Sequence, residues 1–81
     1  MTLPTPPASI RRNPRALIAF FTDAIVTRAN RGEVTTALLT QEFMRARDAF
    51  YSAAPDSGVR AWAQIYGTAL DAALTVTAER N

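Results

Sequence analysis

From Val59 to Val76 the residues Val59, Trp62, Tyr66, Ala69, Ala73 and Val76 recur at alternating spacings of three and four. That is the period of one face of an α-helix. Ala63, Leu70 and Leu74 widen the face, while Arg60, Gln64 and Asp71 stay off it. Asp56 or Ser57, just after Pro55, is placed to cap such a helix, so the pattern predicts a helix over 57–79. Gly67 falls inside it, where glycine costs about 1 kcal/mol relative to alanine. It borders the apolar face beside Ala63, and the expectation is a close approach of two helices there.

Two more helices precede this one. Asn13 is a good N-cap and Pro14 suits the first helical position, where a missing N–H costs nothing. At 100° per residue, Phe20, Ala24, Leu17, Phe21, Ile25 and Ile18 fall in one arc of about 160°. Gly32 is a natural residue to end the helix, which gives about 14–31. Glu33 to Leu39 is ambiguous. Val34, Thr35 and Thr36 are β-branched, but the run is too short and isolated for a sheet, so a loop or one helical turn is expected. Thr40 then reads as an N-cap followed by Gln41 and Glu42, with Leu39 and Met44 as a hydrophobic staple. Phe43, Ala46, Phe50 and Ala53 form the core stripe of a helix over about 40–54, stopped by Pro55. A start at Thr35 or Thr36 is the alternative.

Residues 1–12 contain Pro4, Pro6 and Pro7, which predicts an extended or disordered tail. No strand competes anywhere. Three helices with short connections make residues 13–81 an all-α domain, a small antiparallel three-helix bundle behind an extended Pro-rich N-terminal tail. Phe20, Phe21, Phe43, Phe50, Trp62 and Tyr66 are expected to form most of its core.

Composition narrows the chemistry. With 48% hydrophobic and 20% charged residues the chain should fold, and 81 residues are too few for two domains. It has no cysteine and no histidine, so it holds neither a disulfide nor a Cys/His zinc site. Imidazole bases, thiolate nucleophiles and, with lysine absent, Schiff-base chemistry are also missing. Only carboxylates remain for acid–base work. Glu42 and Asp48 flank Arg45 as surface ion pairs, and Asp23 and Asp71 project from polar faces. No phosphate loop or calcium loop is present. The expectation is a protein that is not an enzyme, with no catalytic residue, cofactor, metal or small-molecule substrate.

The longest apolar run, Leu17 to Phe21, is far short of the ~20 residues a membrane span needs. Arg11-Arg12 resembles a twin-arginine signal, but Pro14, Arg15 and Asp23 break the apolar stretch such a signal requires, so a cytoplasmic location is expected. All nine basic residues are arginine, a bias that suits a GC-rich bacterial, phage or plasmid genome.

Two features point to partners. Met44, Arg47 and Tyr51 stand at i, i+3 and i+7, roughly 60–100° around from the Phe43–Phe50 stripe. Met, Arg and Tyr are the types enriched at protein interfaces. The expected function is a non-catalytic protein–protein interaction module, an accessory subunit, adaptor or assembly protein. It would dock on another protein or on copies of itself through this stripe, with Val26 at the back of the first helix. The competing expectation is that Met44 and Tyr51 pack on the remaining helix. The second feature is an arginine arm of Arg11, Arg12 and Arg15. Residues 1–31 carry a balance of +4, residues 32–81 a balance of −2. The alternative function is therefore a small nucleic-acid-binding regulator whose arm lies along phosphates.

Overall fold

The computed structural model describes residues 2–79. They form three α-helices: α1 (Pro14–Asn30), α2 (Thr36–Ser52) and α3 (Gly58–Glu79), preceded by a single 3-10 turn at Ala8–Ile10. The described residues contain no strand. The architecture is an all-α three-helix bundle.

Local chemistry sets the helix ends. Asn13 is extended and its Oδ1 accepts the Ala16 N–H at 3.2 Å, with Pro14 following as the first helical residue. At the other end Gly32 takes φ +74°, the left-handed region that glycine enters without strain. Its N–H donates to the Ala29 carbonyl at 3.1 Å, and the Glu33 N–H donates to Arg28 at 2.9 Å. This pair of bonds is the Schellman closure, and it satisfies two carbonyls that the helix end leaves open. α1 thus ends at Asn30, one residue before the expected 31. Ser57 caps α3, its Oγ accepting the Arg60 N–H at 3.1 Å.

α2 begins four residues earlier than the expected Thr40. The extended Thr35 is the cap, its hydroxyl accepting the Leu38 N–H at 3.1 Å. Thr40 lies inside the helix and donates its own hydroxyl proton back to the Thr36 carbonyl at 2.9 Å. The early start carries Leu39 into the core, where it is fully buried. With both residues inside one helix, Leu39 and Met44 lie about 140° apart, so the expected staple between them does not form. The helix ends at Ser52, two residues before the expected 54, because Ala53 already adopts an extended conformation ahead of Pro55.

α3 is the shared element: α2 packs on one side of it and α1 on another. The core consists of Leu17, Phe21 and Ile25 from α1, Val34 from the connection, Leu39 and Ala46 from α2, and Ala63, Ala69, Leu70 and Ala73 from α3. Leu3 and Ile10 pack against this cluster. The N-terminal segment is therefore not free chain. Its two large apolar side chains pull it onto the bundle, and the Ile10 N–H donates to Pro7 at 3.2 Å to close the turn.

The core is less aromatic than the sequence suggests. Of the six expected rings only Phe21 is fully buried, and Trp62 is 48% exposed. Phe20, Phe43 and Tyr66 are half-buried at the margin of the cluster. The cause lies in α3, which meets its neighbours mainly through alanines and leaves rings no room in the seam. They gather at its edge instead. Phe21 meets Phe20 and Trp62 edge-on at 5.3 and 5.2 Å, and Trp62 stacks on Tyr66 at 5.9 Å.

Gly67 lies at the α2–α3 seam as expected. A Cβ built there meets only the Cβ of Ala46, at 3.7 Å, an ordinary van der Waals contact. The fold therefore tolerates alanine at this position, and removing a mid-helix glycine relieves the backbone entropy cost. Gly67→Ala should stabilise the chain by about 0.5–1 kcal/mol and raise Tm by about 3–6 °C in dilute solution, as followed by circular dichroism. A lower Tm would show that the seam has no space for the methyl group.

Candidate protein interface

Because α3 is the helix with two neighbours, α2 has only one packed side. Ala46 turns inward from it with Leu39, and Phe43 packs at the edge of the cluster. The next flank of α2 carries Met44, Arg47 and Tyr51, and no helix covers it. Met44 is 49% exposed and Tyr51 74% exposed, far above what packing on a third helix would leave. Arg47 is exposed as well.

Between this flank and α3 runs an open, mostly apolar groove of about 210 Å³. The buried Ala46 and Ala63, with Gly67, form its low floor, and Phe43 and Phe50 line it above them. Arg47 and Tyr51 stand on the α2 side. Gln64, Thr68 and Asp71 stand on the α3 side. Phe50 is held by two neighbours: the Arg60 guanidinium lies 4.3 Å above its ring, and Tyr51 meets it edge-on at 5.4 Å. Both contacts pack against the aromatic end of the groove.

The structure thus brings Arg47 and Tyr51 to one groove and leaves Met44 just outside its lining. Val26 does not join them. It is half-buried and packs against the core cluster from α1, so its apolar surface already serves the fold. The α3 wall was hidden in the sequence, because Gln64 and Asp71 read as a solvated polar face. The signal that could have found it is Gly67, a costly residue whose neighbours at i−3, i+1 and i+4 are the wall residues. Val59 and Trp62, read as core, are 60% and 48% exposed on the first turns of α3 and form a second apolar surface. Arg11, Arg12 and Arg15 are all exposed around the start of α1, and none lines the groove. Arg11 is partly tied down, its Nε donating to the Pro6 carbonyl at 3.3 Å.

The remaining polar contacts are structural. Glu42, partly buried, pairs with the exposed Arg45 one turn on at 3.7 Å, an ion pair at the surface worth at most about 1 kcal/mol. Glu42 also accepts the Tyr66 hydroxyl at 3.3 Å and so ties α2 to α3. Among the described residues no group of three or more carboxylates gathers where it could hold a metal ion. No described helix is long and apolar enough to cross a membrane. No protein-family model, curated protein or solved structure matches this chain.

Burial, followed by the charge of Glu42 and the hydrogen bond to it, pushes the Tyr66 hydroxyl up to about 12 from its ordinary value of 10.0. A raised phenol holds its proton in the folded state where the unfolded chain has begun to release it. The stability this contributes is complete below pH 10 and is lost as pH rises toward about 12. In urea titrations the wild-type midpoint should therefore fall more steeply than that of Tyr66→Phe between about pH 9.5 and 11.5. Parallel curves would show that Tyr66 is not shifted.

Proposed function

We propose that this chain is a non-catalytic protein–protein interaction module that docks through the α2 flank and the α2/α3 groove. One observation carries the reading: Met44 and Tyr51 stand exposed beside an apolar groove that nothing in the fold fills. An exposed tyrosine costs solubility, its one ring contact within the fold is with Phe50, and a rigid ring gives contact area at little entropic cost. The groove is also small. At about 210 Å³ it falls below the 300–1,000 Å³ typical of small-molecule sites, which favours a protruding side chain from another protein. Such a module serves as an accessory subunit, adaptor or assembly protein. Its cytoplasmic location belongs to the same reading and rests on the interrupted apolar stretch after Arg11-Arg12.

Met44→Ser/Tyr51→Ser tests it, since both side chains are exposed and their loss, the Phe50–Tyr51 ring contact included, should cost folding stability no more than about 1.5 kcal/mol. Solution mass across a concentration series and quantitative affinity capture at raised salt would be compared with wild type. The expected result is association, with itself or with a defined protein, that survives salt in the wild type and is lost in the variant. A wild type that is monomeric throughout and captures the same proteins as the variant would overturn the reading.

A second reading rests on Arg11, Arg12 and Arg15, three exposed cations on one short stretch. Contacts to phosphates weaken steeply with salt, whereas apolar docking does not. The nucleic-acid reading requires anisotropy of labelled duplex DNA to rise at low salt and to fall on substitution of the three arginines by serine. A flat response at low salt rejects it.

A further inference from the structure

We infer that the occupant of the α2/α3 groove is a second copy of this chain, seated about a two-fold axis that runs along the groove. Arg47 of each copy then reaches Asp71 of the other. The inference rests on the proposed α2/α3 interface and adds the identity of the partner.

The charges on the groove walls carry it. Arg47 stands on the α2 wall and Asp71 on the α3 wall, both exposed. The one ion pair found among the described residues joins Arg45 to Glu42, so neither wall charge is neutralised within its own chain. A two-fold interface is self-complementary, with residue i meeting j and j meeting i. An axis along the groove lays the α2 wall of one copy over the α3 wall of the other. It therefore makes the Arg47–Asp71 pair twice. An axis across the groove at the level of Arg47 would set α2 on α2 and bring the two Arg47 side chains together, which like-charge repulsion disfavours. The charge pattern thus selects one geometry, and in it Tyr51 and Phe50, one turn on from Arg47 along α2, supply the apolar contact beside the charged pairs.

One further observation, at Gly67, agrees. The fold has room for a Cβ at this position and does not require its absence. A low groove floor, open to a partner side chain, gives the glycine a role that the monomer does not.

The full chain would be studied by sedimentation or light scattering across a concentration series. Circular dichroism would confirm that each variant is helical. The expected mass at high concentration is twice 8.8 kDa. R47D and D71R should each raise the dimer Kd about tenfold or more, because each leaves like charges facing across both pairs. The double variant R47D/D71R restores opposite charges with the walls exchanged, so its Kd should return to within about threefold of wild type. A wild type that is monomeric at every concentration overturns the inference. So does a double variant no tighter than the singles. Neither outcome touches the broader reading if capture of another protein still depends on Met44 and Tyr51. Loss of that dependence as well would overturn both.

Discussion

Small side chains on α3 decide the rest of this structure. Ala63, Ala69 and Ala73 are buried with Leu70, and α1 and α2 both pack against the helix that carries them. A chain of this size has only apolar packing to hold it, since no disulfide is available and no metal cluster forms among the described residues. Alanines stabilise such a bundle in two ways. They favour the helix itself, and they let backbones approach so that Leu17, Phe21, Ile25 and Leu39 interlock around Leu70. The same choice excludes rings from the seam. Trp62 and Tyr66 therefore stack at its edge, and Val59 stays in solvent.

Both ends of α1 and the start of α3 were legible because each is written in local chemistry. Asn13 before Pro14, a glycine after Arg31, and Ser57 after Pro55 each satisfy backbone groups without help from distant residues. The start of α2 was not legible for the same reason in reverse. Thr35 and Thr40 are both competent caps, and local chemistry does not choose between them. Burial of Leu39 chooses, and that depends on α1 and α3 being in place. The aromatic core was misjudged because periodicity names a face without stating what lies opposite or how near. Val59, Trp62 and Ala69 share a stripe, yet only Ala69 sits where two helices close.

The candidate site divides along the same line. Met44, Arg47 and Tyr51 could be picked out because they depart from the stripe of their own helix at helical spacing. Their exposure could not be foreseen, since it follows from α3, and not α2, taking the shared position. The opposite wall reads as an ordinary polar face in sequence. It becomes part of a groove because α2 and α3 meet there through small residues, Ala46 and Gly67 among them. Val26 lies apart from that groove: it is half-buried on α1 and packs against the core cluster, as Leu3 and Ile10 also do.

Stability and the proposed interface therefore draw on one set of residues. Where α2 and α3 touch through Ala46, Ala63 and Gly67, little side-chain volume fills the angle between them. The large residues on either side, Phe43 and Phe50 above and Arg47 and Asp71 at the margins, are left standing around a shallow trough. A bulkier seam would push the helices apart and fill the trough together. A bundle with larger seam residues would gain buried area and lose the surface it presents. A ligand or copy that binds only the folded state returns stability by mass action, in proportion to the logarithm of its concentration over Kd. Under the proposed docking, the cost of about 1 kcal/mol that a mid-helix glycine imposes on the isolated chain is offset by occupation of the groove. On this view the marginal core and the open groove are a single solution, in which part of the packing is left for the partner to complete.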